Sequence, residues 1–207
     1  MNLDTNNINQ KTLSKAFYEV MMDLAKSDDD PILLGWKDSE SQTSRFNVFV
    51  DKCVKPNDRV LDFGCGLSDL YGYLKNKGID VNYTGIDIMP DFIKKSKEKY
   101  GNEINVVNTN ALFFLEEFDW VFASGVFSIG FTLESIVEHI KHFTTITDKG
   151  VCFNLLNKET FEGEVQVSFT KEDVIKEIKK QINDVDVVID DSYSKEDFTV
   201  IVTNMPL

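Results

Sequence analysis

A chain of 207 residues with 42% hydrophobic and 28% charged side chains is long enough for one soluble domain with a sizeable core and too short for two full ones. Its 22 basic residues stand against 35 acidic ones, a net charge of −13, which argues against DNA or RNA as a partner because phosphate contacts need clustered cations. Cys53, Cys65 and Cys152 are far apart with no Cys-x-x-Cys pair, so reduced thiols in a cytoplasmic setting are expected rather than disulfides or a zinc site. No apolar run approaches the roughly 20 residues a membrane span needs, and no membrane partner is expected.

The first ten residues are polar. Leu13, Ala16, Phe17, Val20, Met21 and Leu24 then recur at helical spacing and predict a helix over 12–27. A connector at 32–36 leads to a second helix from about Ser41, with Phe46, Phe49, Val50 and Cys53 on its apolar face. Lys55-Pro-Asn-Asp58 reads as a turn, so residues 1–54 are expected as a helical extension or cap and 55–207 as the main domain. Beyond the turn, strands at 60–63, 82–86, 104–108, 120–123 and 151–155 alternate with helices at 68–76, 90–100, 110–116 and 132–146. Lys94, Lys95, Lys97 and Lys99 fit the solvated face of one of these helices. Thr170-Lys-Glu-Asp173 predicts a capping box opening a helix to about residue 182. The apolar runs 185–189 and 198–203 are too close for a helix between them and predict an antiparallel hairpin. Five strand–helix units followed by a hairpin describe a doubly wound α/β sheet.

Val60-Leu-Asp-Phe-Gly-Cys-Gly66 is a short apolar strand ending in an acid and a glycine turn, the place where an open α/β sheet binds ligands. The third glycine of a dinucleotide fingerprint is replaced by Asp69; with Asp62 nearby, this would repel a pyrophosphate but suit an ammonium group, so NAD is disfavoured. Asp87 ends the next strand about 20 residues on, where a carboxylate can accept hydrogen bonds from two ribose hydroxyls, although alone it would read as a helix cap. Asn110, followed by Ala111 and Leu112, stands where an adenine edge could be read; by itself it too would be a cap.

With these three motifs in order over residues 60–157, the sequence resembles the class I S-adenosylmethionine-dependent methyltransferases. The resemblance implies a Rossmann-like, seven-stranded sheet of order 3-2-1-4-5-7-6 with its last strand antiparallel. It also implies that Asp62, Gly64 and Gly66 hold the methionine part, Asp87 the ribose, Ile88 and Met89 the adenine face, and Asn110 with Ala111 and Leu112 the adenine edge. Many members have aspartate where this chain has Asn110. Trp36, Gln42, Arg45-Phe46, Ser124-Gly-Val-Phe127 and Phe153-Asn-Leu-Leu156 together look like a set of largely uncharacterised small bacterial and phage methyltransferases.

The acceptor is harder to read, because the sulfonium is already activated and the site needs shape more than special side chains. Ser124 and Phe127 follow the fourth strand, where the acceptor should meet the methyl; Phe127 reads equally as an aromatic wall or as core. Arg45 suits a carboxylate of cofactor or acceptor, or a surface salt bridge. Tyr193 is expected to overhang the pocket, Asn154 and Asn157 close the fifth strand, and His139 and His142 read as exposed imidazoles. No Asn-Pro-Pro-Tyr, Asp-Pro-Pro-Tyr or Pro-Cys motif is present, which disfavours adenine, glutamine-amide and cytosine C5 methylation. The expected function is methyl transfer to a small-molecule acceptor. Its alternatives are a peptide or protein methyltransferase, a non-catalytic protein that binds the cofactor and acts through a partner, and a nucleotide-dependent enzyme.

Overall fold

The computed structural model describes residues 10–27, 30–109, 116–163 and 165–204. Eight strands form one sheet: β1 Arg59–Phe63, β2 Asn82–Asp87, β3 Asn105–Asn108, β4 Phe118–Ala123, β5 Thr147–Asn157, β6 Ser168–Phe169, β7 Val185–Asp190 and β8 Asp197–Asn204. Their order is β3-β2-β1-β4-β5-β8-β7, with β6 paired beside the end of β5. Set β6 aside and this is the expected seven-stranded order. β8 runs antiparallel to both β5 and β7, and the other pairings are parallel.

Six α-helices accompany the sheet among the described residues: α1 Gln10–Leu24, α2 Ser39–Lys52, α3 Asp69–Asn76, α4 Pro90–Tyr100, α5 Leu133–Thr145 and α6 Lys171–Gln181. The predicted helix at 110–116 falls largely outside the described residues. α2 starts two residues earlier than expected because Asp38 caps it, its carboxylate accepting from Ser41 N–H at 2.7 Å. Half of the predicted box at Thr170 forms. The Thr170 hydroxyl accepts from Asp173 N–H at 3.2 Å and donates to the Asp173 carboxylate, which leaves the N-cap amide to other partners.

The strands are apolar on both faces because both faces are covered. On one side Leu61, Phe63, Val121 and Phe153 pack under Ile136, Ile140 and Phe143 of α5 and Val174 and Ile178 of α6. On the other, Val60, Tyr83, Trp120 and Phe122 meet Phe46 and Phe49 of α2, Leu70 and Leu74 of α3, and Ile93 of α4. Phe49, fully buried, stacks on Phe122 with ring centroids 4.7 Å apart, a contact worth about 1 kcal/mol beyond the area it buries. A smaller cluster of Leu33, Leu67, Met89 and Phe92, joined by Tyr18 and Leu34, packs α1 and the 3-10 turn Pro31–Leu34 near the carboxyl ends of β1 and β2. No helix among the described residues is long and apolar enough to cross a membrane.

Candidate cofactor and acceptor site

The chain leaves β1 through two residues in left-handed conformation, Gly64 at φ +70° and Gly66 at φ +51°. Gly64 and Cys65 both donate to Ile86 O, at 2.8 and 3.0 Å, which hangs the turn on the end of β2. Ser96 of α4 donates to Gly66 O at 3.0 Å and accepts from Ser68 at 3.1 Å, so the turn is held from its other side too. A β-carbon on Gly66 would lie 2.8 Å from Leu34 Cδ2, and one on Gly64 would lie 2.4 Å from Val126 Cγ2. Close approach of other groups, as well as backbone conformation, demands glycine at both positions.

Asp62, Gly64, Gly66, Asp69, Asp87 and Ser124 line one pocket, bounded by Tyr18, Leu34, Trp36 and Gln42. Asp62 is buried and accepts from Tyr83 Oη–H at 2.6 Å; burial, reinforced by Asp87 and Asp69, raises its carboxyl to about 7. Asp87 accepts from Gly66 N–H at 3.0 Å with one oxygen and from Met89 N–H at 2.8 Å with the other, and burial raises it to about 6. A carboxylate offers about four lone-pair positions, so these two bonds leave one on each oxygen for a vicinal diol. The buried acid and the diol-ready acid are the groups that the ammonium and ribose of S-adenosylmethionine need, while Leu34 and Val126 fill the space over the glycine turn and leave a pocket of about 40 Å³. Asp69 is held by Lys99 Nζ at 3.0 Å and Gln42 at 3.3 Å.

Ile88 lines a neighbouring pocket with Gly64, Asp87, Val126, Phe131 and His139, whereas the Met89 side chain turns into the Leu33–Phe92 cluster. Asn110, Ala111 and Leu112 lie outside the described residues. Arg45 is not among the lining residues of these two pockets. Its Nε and Nη2 donate to one Asp197 oxygen at 3.0 and 2.6 Å, Nη1 donates to Ser41 O, and the guanidinium lies 4.8 Å from the Trp36 ring centroid. This is neither of the expected arrangements: the partner is an internal carboxylate, 3% exposed.

That pair sits in the wall of a larger cavity of about 620 Å³, between α1, the 31–45 segment and the ends of β4, β5 and β8. Tyr193 lines it and donates to the other Asp197 oxygen while accepting from Thr199 at 3.0 Å. Burial and the Asp197 charge push its phenol far above the ordinary range. Asn154 also lines it, and its Oδ1 accepts from Gly125 N–H at 2.8 Å. Asn157 instead closes its strand, accepting from Glu159 N–H and donating to Lys195 O, both at 3.2 Å.

Phe127 is 1% exposed and packed against Phe63, Phe131 and Phe153, so it is core. His139 is not the exposed imidazole expected. It is half-buried beside Phe63, Phe127, Phe131 and Phe143, bonded through Nδ1 to Ser135 O at 2.7 Å, and burial depresses its basicity. Tyr18 and Leu34 were missed as site residues. They read from sequence as helix and connector hydrophobes, yet with Trp36 they line both the smaller pocket and the larger cavity.

Residues 61–151 match the family described as "Methyltransferase domain". The "Putative methyltransferase Rv1506c" of Mycobacterium tuberculosis is 32% identical over 68 residues, 33% of this chain, and the chain spans 41% of that protein's length. The magnesium protoporphyrin IX methyltransferase of Synechocystis PCC 6803, solved with bound S-adenosylhomocysteine, superposes with a TM-score of 0.69 at 17% identity over 95% of this chain and 100% of that one. The N-methyltransferase NodS of Bradyrhizobium japonicum WM9 gives 0.62 at 18% identity over 90% and 97%. At such identities the structural likeness is one of fold. Residues 61–151 carry the match to the methyltransferase-domain family, and the chain as a whole has the fold of these solved methyltransferases.

Proposed function

We propose that this protein transfers the methyl group of S-adenosylmethionine to a small molecule held in the 620 Å³ cavity. One observation carries the reading: the pocket of Asp62, Gly66 and Asp87 and the larger cavity share the wall formed by Tyr18, Leu34 and Trp36, so donor and acceptor sites adjoin. The volume suits a drug-sized molecule. The magnesium protoporphyrin IX methyltransferase, whose fold superposes, is named for a small-molecule acceptor, which supports this reading.

In it, Asp62 faces the ammonium of the amino-acid part, the glycine turn lets the backbone approach, and Asp87 accepts from the ribose hydroxyls. Ile88 flanks the adenine, Met89 being turned into the core instead of the adenine face the resemblance implied, while Asn110, Ala111 and Leu112 read its edge. Ser124 stands beside the methionine end. S-adenosylmethionine supplies a methyl group already activated on a sulfonium. The chain's own contribution is to orient the two reactants and keep water away. α1 and the 31–36 connector act as the cap over both sites, and the three unbridged, buried thiols suit the cytoplasm.

The test is incubation with methyl-labelled S-adenosylmethionine and a cell extract split into small-molecule and protein fractions. Label in a small molecule supports the reading. Label in protein moves it to the peptide alternative, and tight binding of S-adenosylhomocysteine with label in neither fraction favours a non-catalytic binder.

A further inference from the structure

Among the described residues, three buried side-chain polar atoms have no hydrogen-bond partner: Trp120 Nε1, inside the core, and the pair Ser124 Oγ and Asn154 Nδ2. That pair is brought together at the end of the sheet, Ser124 just past β4 and Asn154 on β5, because Ala123 is opposite Phe153 in the β4–β5 register. The Gly125 N–H, a donor, bonds Asn154 Oδ1 and so fixes which half of the amide is unpaired: it is the NH₂. A buried donor left unpaired is destabilising, a cost that a ligand's acceptor atom would remove. Ser124 lines the pocket of Asp62 and Asp87, and Asn154, 3% exposed, lines the larger cavity. The two therefore mark the seam where the sites meet.

The cavity's charges narrow what sits there. Its buried cation, Arg45, is consumed by Asp197, and Asp197 is shared with Tyr193. Lys37, Asp38, Glu40 and Glu196 are exposed lining residues with an acidic excess. An anionic acceptor would find no buried unpaired cation. Phe17, Tyr18, Trp36, Phe161 and Tyr193 give aromatic walls. From these observations we infer that the methyl acceptor is an uncharged, ring-bodied molecule, and that Asn154 is its positioning residue, donating from Nδ2 to an oxygen or ring nitrogen beside Ser124. Trp36 packs on Gly125, so its ring borders the seam on the cavity side. The inference rests on the larger cavity being the acceptor's.

The probes are benzamide, benzoate and toluene, titrated by saturation-transfer NMR into the full chain with S-adenosylhomocysteine saturating. Benzamide, uncharged with an acceptor oxygen, should bind at least about fivefold more tightly than either, the worth of one hydrogen bond. Asn154→Asp retains the acceptor for Gly125 N–H, and Asn154→Leu removes both functions. Both should weaken benzamide about fivefold or more and leave S-adenosylhomocysteine affinity within twofold, with circular dichroism confirming the fold. Preference for benzoate, or benzamide binding that neither substitution alters, overturns the inference. So does a matching loss of S-adenosylhomocysteine affinity in Asn154→Asp, which would place Asn154 in the cofactor site. If the unmodified protein fails to bind S-adenosylhomocysteine, the cofactor reading falls instead, and the same benzamide comparison without it still decides the role of Asn154.

Discussion

Replacing Asp62 by asparagine should make the ligand-free protein more stable and its cofactor binding weaker. Burial, first, and the nearby charges of Asp87 and Asp69 raise this carboxyl from 3.8 to about 7. A displacement of about three pH units, at about 1.4 kcal/mol each, gives about 4 kcal/mol as the upper bound on what the ionised group costs the fold. Because the folded value is raised, the contribution to stability is fully present below pH 3.8 and is lost as pH rises through about 7. Asparagine still accepts the Tyr83 hydroxyl's hydrogen bond, made at 2.6 Å, and carries no charge. Urea unfolding should therefore show Asp62→Asn more stable at pH 8, with the advantage shrinking toward pH 5. Calorimetry with S-adenosylhomocysteine should show the opposite trade. Removing one partner of a buried charge pair costs about 2 kcal/mol or more, so the dissociation constant should rise at least about thirtyfold. In the unmodified protein affinity should fall up to about tenfold per pH unit below 7, and the variant should lose that dependence between pH 7 and about 6, where Asp87 begins to titrate as well. A variant that binds as tightly as the parent, or is less stable at pH 8, refutes the reasoning.

Gly66→Ala forces a β-carbon to 2.8 Å from Leu34 Cδ2 at φ +51°; it should cost about 1–3 kcal/mol by thermal unfolding and at least tenfold in S-adenosylhomocysteine affinity. Arg45→Met leaves Asp197 buried without its cation and should cost about 3–5 kcal/mol in urea, most of it recovered by Arg45→Met with Asp197→Asn. Tyr193→Phe should leave the pH profile of methyl transfer unchanged, since burial and the Asp197 charge keep the phenol protonated; a shifted basic limb would show that it acts as a base.

The sheet was legible because each strand is covered on both faces and so reads as an apolar run, while helical spacing between the runs marks the crossovers. Polar residues hid the ends. β5 begins at Thr147 rather than 151 because the exposed Asp148 and Lys149 sit at a register shift between the pairings of Thr147 and Gly150 with β4, and β6 has two residues and no pattern to detect. The placement of Asp62, Gly64, Gly66 and Asp87 together was legible because it follows from strand ends and backbone conformation. Side-chain partners were not. Arg45 meets a carboxylate 152 residues away, a pairing no local spacing encodes. His139 is different, because a signal was present: it lies three residues after Ile136 and four before Phe143, on the buried face of α5.

The N-terminal segment does two different jobs, and a boundary at residue 54 conceals this. α1 and the 31–36 connector supply Tyr18, Leu34 and Trp36 to the shared wall, whereas α2 is a layer of the fold: Phe46, Val48, Phe49 and Cys53 are buried by it. At about 1.5–3 kcal/mol for each large apolar side chain, uncovering their partners would cost as much as a typical domain's whole stability of about 5–15 kcal/mol. A chain trimmed to 55–207 should therefore lack a cooperative unfolding transition by circular dichroism. One trimmed to 37–207 should keep that transition while losing S-adenosylhomocysteine binding, because α2 and the Arg45–Asp197 pair remain and the wall over Asp87 does not. If the shorter chain unfolds as cooperatively as the full one, α2 is a removable cap after all.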